Sequence, residues 1–375
     1  MTVFPFAHAG TITDGLSGAS WLDLANHCLK QFEGPVQGIG LLYVTDPLGA
    51  EIEDILEFLR KHTGLTAWRG AVAPAICATG IEYFDLPAMA LMVMDVPDSA
   101  ASVFPGEPES NNFWLASNAQ LAIVHADPRQ SAVLDAIPEL AKSTGAYLVG
   151  ALTTAAAVAP LVGAVDAPSG LAGILFTDEV PVATGLTQGC SSIGPVHTIT
   201  SMEEGIVSGL DDRRALEVLK EDVGELLARD LRRLVGYVHA AIPVSGSDTA
   251  DYLVRNLVGF DAEQGWVAVA EELNVGDRLM FVRRDAASAV EDMQRMLSDL
   301  KRRAGTNLRG AVYHSCVARG PHQFGPGSRE LSMIAETFGD IPVIGFFGNG
   351  EISHDRLYTY TGLLTVFPEP EEGQA

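Results

Sequence analysis

The sequence predicts an α/β protein with mixed β-sheets layered with helices, built from duplicated strand–helix–strand–strand units arranged in two lobes. Three observations lead there. Short apolar runs of strand length alternate with amphipathic stretches of helical period. Landmarks recur in register: Asp46-Pro47 and Asp127-Pro128 stand 81 positions apart, as do Thr63-Gly64 and Thr144-Gly145, while Gly70-Ala71 and Gly150-Ala151 stand 80 apart. Glycines and polar residues gather at the strand ends, where layered α/β folds collect ligands.

The elements follow in order. Over 20–32, Trp21, Leu24, Ala25, Cys28, Leu29 and Phe32 fall on one helical face, which makes Cys28 a core residue. Residues 39–45 read as a strand ending at Asp46-Pro47. Residues 51–62 form a helix with Ile52, Ile55, Leu56 and Leu59 inward; acids open it, bases close it, and Gly64 caps it. Strands follow at 66–73 and 88–96. The second copy has a strand at 121–126 and a helix at 131–143 that Pro138 should kink or break. Its further strands are 147–152 and 172–177.

Between copies, 211–241 reads as one charged helical stretch with Gly224 as an interruption, and marks the boundary between lobes. Residues 265–271 and 277–283 read as a hairpin around Asn274-Val275-Gly276. The helix 286–304 follows, with Ala289, Val290, Met293, Leu297 and Leu300 inward. A third, looser copy has a strand at 311–316, a helix at 328–338 with Leu331, Ile334, Ala335 and Phe338 inward, and strands at 341–347 and 358–367. Residues 100–112 read as a loop, and 368–375 as a disordered acidic tail.

At 375 residues the chain is long enough for two domains, and 47% hydrophobic with 19% charged residues is a soluble globular composition. A net charge of −24 argues against nucleic acid and anionic membranes as partners. No segment is long and apolar enough for membrane insertion, and Met1–Gly10 lacks the pattern of a secretory signal. Four scattered cysteines without a C-x-x-C pair fit reduced thiols, so the expected location is cytoplasmic.

The chemistry concentrates in His314-Ser315-Cys316-Val317-Ala318-Arg319-Gly320, Gly345-Phe346-Phe347-Gly348-Asn349-Gly350-Glu351-Ile352, and Gln188-Gly189-Cys190-Ser191-Ser192-Ile193-Gly194-Pro195. A guanidinium at Arg319 suits bidentate capture of a carboxylate, or a structural ion pair with a neighbouring acid. Glu351 suits an amine, or a salt bridge to Arg319. Ser315, Cys316, Gln188 and Cys190 would line the pocket, with Gly345 letting backbone come close. No catalytic residue is assigned. His314, His322, Glu351 and His354 match no tight metal motif, so no metal is expected. No cofactor is predicted, although a single axial histidine for haem stays open with nine histidines present. Walker and G-x-S-x-G signatures are absent.

These segments, together with Val196–Thr200 after Pro195 and Thr361 before the last strand, resemble the FIST domain family, which pairs an N-terminal with a C-terminal FIST domain. The resemblance spans 30–367 and implies FIST domains at 30–225 and 226–367. It departs at Gly70, where the family's Cys and Ser/Thr are replaced by Ala71-Val72-Ala73-Pro74. It implies a sensory module for a small ligand, an amino acid or a small carboxylate, similar to input domains of kinases, cyclases or chemoreceptors. Some relatives bind haem, and eukaryotic ones carry an F-box. The expectation is a stand-alone sensor that acts through a signalling protein partner. A haem-based gas sensor, a cysteine-dependent enzyme and a protein-interaction scaffold are the alternatives.

Overall fold

The computed structural model describes residues 3–12, 15–105, 119–156, 159–164, 167–203, 205–228, 236–244 and 251–370, with backbone alone for 225–228. The chain divides into two compact units. The first comprises Met1–Gln188, Glu291–Leu357 and Thr361–Ala375; the second comprises Gly189–Val290 with Tyr358–Tyr360.

The first unit contains three sheets of the same connectivity. Its elements begin with β1 (Phe6–Gly10), α1 (Trp21–Leu29), β2 (Ile39–Thr45), α2 (Ile52–Thr63), β3 (Trp68–Ala73), β4 (Ala75–Ala78), β5 (Ile81–Phe84) and β6 (Ala88–Met94). Next come β7 (Ala101–Phe104), β8 (Ala119–Ala126), α3 (Val133–Thr144), β9 (Tyr147–Leu152), β10 (Leu161–Val162) and β11 (Leu171–Thr177). After β12 (Ala183–Gln188) the chain leaves for the second unit. That unit holds β13 (Cys190–Ser192), β14 (His197–Glu203), β15 (Ile206–Leu210), β16 (Arg213–Arg214), α4 (Ala215–Ala228), β17 (Val238–Pro243), β18 (Tyr252–Phe260), β19 (Val267–Val269) and β20 (Arg278–Arg284). The third sheet then resumes through α5 (Ala286–Ala304), β21 (Leu308–Cys316), α6 (Pro321–Phe324), α7 (Arg329–Phe338), β22 (Val343–Gly348), β23 (Glu351–Ser353), β24 (Arg356–Tyr358) and β25 (Thr361–Pro368).

The sheet orders are β1-β6-β2-β3-β10, β7-β11-β8-β9-β23-β24 and β12-β25-β21-β22-β4-β5. In each, a central strand (β2, β8 or β21) is parallel to the strand after its helix (β3, β9 or β22). The far edge of each sheet is supplied by another copy. The β4–β5 hairpin joins β22, β10 joins β3, and β23 joins β9, so the exchange runs round all three. Gly70, Gly150 and Gly345 occupy one position in the three parallel pairs, facing Leu42, Val124 and Tyr313. A Cβ at any of them would overlap that partner's carbonyl oxygen, so only glycine fits.

The strands are buried on both faces, which explains why they read as continuous apolar runs rather than alternating ones. Inner faces of all three sheets share one core that includes Leu41, Ile123, Ile174, Val312, Phe346 and Leu363. Helices cover the outer faces. Leu24, Ile55 and Leu59 of α1 and α2 pack on the first sheet, and Val133 and Ile137 of α3 on the second. The capping box of Ser20 and Asp23 starts α1, and Gly64 and Gly145, both left-handed, end α2 and α3.

In the second unit, β20, β14, β15, β19, β18 and β17 form an antiparallel ladder that closes on itself through the β17–β20 pairing. Its core joins Ile199, Val207, Leu257 and Phe281 with Leu216 and Leu219 of α4.

Several expectations need correction. Helix α3 continues through Pro138, which lies on its exposed face, where water can serve the carbonyl that proline leaves unpaired. The stretch 211–241 is not one helix: Gly224 at φ 76 and ψ 165 interrupts α4, and 238–243 is a strand. It falls within the second unit, and its residues 229–235 lie outside the described residues. Strands β19 and β20 do not pair as a hairpin. The turn forms, with Asp277 N donating to Asn274 O at 3.1 Å, but β14 and β15 stand between the two strands in the ladder. Part of the loop predicted at 100–112 is the edge strand β7, and 106–112 lie outside the described residues. The last strand is broken at Tyr360, whose φ of 61 no strand accommodates. In the acidic tail, Pro368 still belongs to β25, and 371–375 lie outside the described residues.

Candidate functional site

The candidate residues of the third sheet are organised by a residue that the sequence motifs did not include. On α7, Glu330, Ile334 and Phe338 lie at i, i+4 and i+8, a single buried stripe, so a carboxylate sits where an apolar side chain would be expected. Glu330 is 0% exposed. Its carboxylate accepts from Tyr313 Oη at 2.6 Å, Arg319 Nε at 2.9 Å, the Gly320 backbone N–H at 2.8 Å and, at 3.4 Å, Ser315 Oγ. Arg319 Nη2 lies 2.9 Å from the same carboxylate. Tyr313 and Ser315 are two apart on β21 and therefore point to one side of the sheet, under the helix.

Arg319 thus pairs with Glu330, and the alternative of a salt bridge to Glu351 is not what forms. Glu330 is 11 residues on, nearer in sequence than Glu351, and a tight turn and one helical turn bring it over the strand end. Arg319 is fully buried, and its Nη1 has no hydrogen-bond partner among the described residues. Burial alone would lower its pKa; the Glu330 carboxylate more than offsets this and holds the guanidinium charged. Its Cζ lies 4.9 Å from the ring centroid of Phe324 in α6, which covers it.

Glu351 opens β23, on the second sheet, opposite Ala151. Its carboxyl accepts from Thr361 Oγ1 at 2.7 Å, Thr361 N at 3.2 Å and Gly350 N at 3.4 Å. Burial pushes its pKa up to about 7 against the pull of those bonds and of the Arg319 charge. Gln188 pairs with Thr361 across the β12–β25 ladder, and its N–H donates to Asp292 Oδ2 at 2.6 Å. Ser315 pairs with Gly362, next to Thr361. Gly345 faces Tyr313 on one side and Cys77 on the other, and Glu82 of β5 pairs with Cys77 at the edge. Burial, then the charge of Glu330, pushes the Glu82 carboxyl up to about 8. Cys316 is 2% exposed in β21, opposite Gly348. Cys190 belongs to the second unit, where its carbonyl accepts from Tyr252 Oη at 2.6 Å. Among the described residues no group of three or more His, Cys, Asp or Glu side chains is placed to hold a metal ion.

A second polar cluster, also missed, occupies the shared core. Tyr43, His125 and His314 follow Leu42, Val124 and Tyr313 and hold equivalent places on the three central strands, with ring centroids 5.4 to 6.3 Å apart. Tyr43 Oη lies 2.9 Å from His125 Nε2. Burial pushes the pKa of His314 down to about 3, so the imidazole is neutral. Histidine inside an otherwise apolar strand was the available signal; the landmark spacing of 81 hid the equivalence, because the strand residues themselves are 82 apart.

No helix among the described residues is long and apolar enough to cross a membrane. Residues 38–213 match the FIST N domain and residues 215–354 the FIST C domain. An uncharacterized protein of Mycobacterium tuberculosis is 31% identical over 217 residues, covering 53% of this chain and 54% of the relative. Another, of Mycobacterium bovis, is 31% identical over 219 residues, covering 54% of this chain and 55% of the relative. The chain spans about half the length of the curated relatives it matches. With the two matched segments following one another over most of its length, the chain belongs to the FIST family, whose domains generally serve as sensors in signal transduction.

Proposed function

We propose that the chain senses a small carboxylate or amino-acid-like molecule at the Arg319 cluster and passes the signal to a protein partner. One observation carries the reading: Arg319 Nη1 is a buried cationic donor without a hydrogen-bond partner among the described residues. Leaving such a donor unmet is costly, and a carboxylate is the group that meets it best. Ser315 beside it supplies a hydroxyl. Glu330 takes the other side of the guanidinium and keeps it oriented. Gln188, paired with Thr361 across the β12–β25 ladder, forms the neighbouring wall.

Entry requires Phe324 to leave the guanidinium. Its four-residue helix lies between Gly320 and Gly325, both at positive φ, where glycine gives the backbone freedom to swing. Movement of α6 on binding is the change a partner would read.

The test is a thermal-shift screen of small carboxylates and amino acids on the wild type and on Arg319→Met/Glu330→Gln. The double change removes both charges together, so no buried ion is left unpaired. A ligand that raises the Tm of the wild type and leaves the variant unmoved supports the site. A ligand that shifts both equally removes Arg319 from it.

A further inference from the structure

We propose that Glu82, donated to the third sheet by the first copy, reads the ammonium group of a zwitterionic ligand whose carboxylate lies on Arg319. The inference rests on the carboxylate reading of Arg319 and names the second half of the same site.

It follows from which polar atoms around Glu330 are already engaged. Glu351, the acid that the sequence favours for an amine, has its carboxyl occupied by three donors from Thr361 and Gly350. Glu330 is occupied by Tyr313, Arg319 and Gly320. Among the described residues, two charged-group atoms near Glu330 remain without a hydrogen-bond partner: Arg319 Nη1 and Glu82 Oε1. One is a donor that wants an anion and the other an acceptor that wants a cation. A molecule bearing an ammonium and a carboxylate on one carbon offers each atom the partner it lacks, whereas a simple carboxylate leaves Glu82 unmet.

The surroundings place Glu82 beside the cluster. Its backbone N–H donates to Ser328 Oγ at 2.9 Å, at the start of the helix that carries Glu330 two residues later. Its carboxyl feels the charge of Glu330 directly. Phe84, two residues on along β5, packs against Gly320, where a Cβ would lie 2.8 Å from its ring. Glu82 is 9% exposed, against 0% for Glu330 and Glu351, so of the three acids it is the one nearest solvent. An ammonium group beside the carboxyl favours its ionised form, so binding would release the Glu82 proton to solvent.

This arrangement also explains why the position is invisible from the third copy alone. Glu82 reaches the third sheet only because the β4–β5 hairpin crosses from the first copy to pair with β22.

The experiment compares each proteinogenic amino acid with its des-amino carboxylic acid by thermal shift and titration calorimetry. Wild type, Glu82→Gln, Glu351→Gln and Arg319→Met/Glu330→Gln are used as full chains. The expected result is an amino acid that binds wild type about tenfold or more tighter than its des-amino analogue, the weight of one charge-assisted bond. Glu82→Gln should erase that preference by weakening the amino acid and sparing the analogue, and Glu351→Gln should keep it. Preference retained in Glu82→Gln, or lost in Glu351→Gln instead, overturns the role of Glu82. A wild type that binds analogue and amino acid alike, with binding abolished by the double variant, overturns Glu82 and leaves the Arg319 reading standing. Absence of binding by every compound removes both.

Discussion

Tyr43 and His125 hold the same place on the central strands of two different sheets, and there they meet: Oη and Nε2 are 2.9 Å apart, both side chains fully buried. The third member, His314, stacks edge-on against Phe346 at 5.1 Å between centroids, and neither of its ring nitrogens has a hydrogen-bond partner among the described residues. Tyr43 Oη thus has a partner in His125 Nε2, whereas both ring nitrogens of His314 and Nδ1 of His125 have none among the described residues. His314→Leu should therefore stabilise the protein, by about 1 kcal/mol, because it removes unmet polar atoms from the core. His125→Leu should destabilise it by about 1–3 kcal/mol, because it strands the Tyr43 hydroxyl. Urea unfolding of both variants gives the answer. A loss of stability in His314→Leu as large as that in His125→Leu would mean that His314 is bonded in solution.

The Arg319–Glu330 pair makes a second prediction. Each residue is 0% exposed, so removing one strands the other as a buried charge. Arg319→Met and Glu330→Gln should each cost about 3–5 kcal/mol, and the double variant clearly less than the sum. Additive costs in a double-mutant cycle would show that the two do not act as a pair.

The buried glutamates set a pH dependence. Glu351 and Glu82 have pKa values raised from 4.5 to about 7 and about 8, by burial first. The folded state therefore keeps protons that the unfolded chain releases. Their contribution is fully present below pH 4.5 and is lost as pH rises through 7 for Glu351 and through 8 for Glu82. Each contributes a fall of about 1.4 kcal/mol per pH unit within its window. Glu351→Gln should flatten the stability profile between pH 4.5 and 7, and Glu82→Gln between 4.5 and 8, relative to wild type. Parallel profiles for variant and wild type, from denaturant unfolding at stepped pH, would count against raised values.

Local elements were readable because their causes are local. Helix α5 occupies the predicted 286–304, and strands β2 and β9 occupy the predicted 39–45 and 147–152, since period and length are properties of a few consecutive side chains. Errors arose where a neighbour in space overruled the local pattern. Strands β19 and β20 look like a hairpin until β14 and β15 enter between them. Arg319 was legible as a buried cation needing an acid, but Glu330 was hidden inside an otherwise apolar helical stripe.

By itself, then, the sequence determined the α/β class, the periodic landmarks, the family resemblance and the polar segments of the third copy. These depend on residue type and spacing. Only the tertiary structure decided which polar groups meet: Arg319 with Glu330, Glu351 with Thr361, Tyr43 with His125, and Glu82 delivered to another copy's sheet. The reason is that an exchanged strand can pair with whichever sheet edge satisfies its backbone, and nothing in its own side chains records which edge that is.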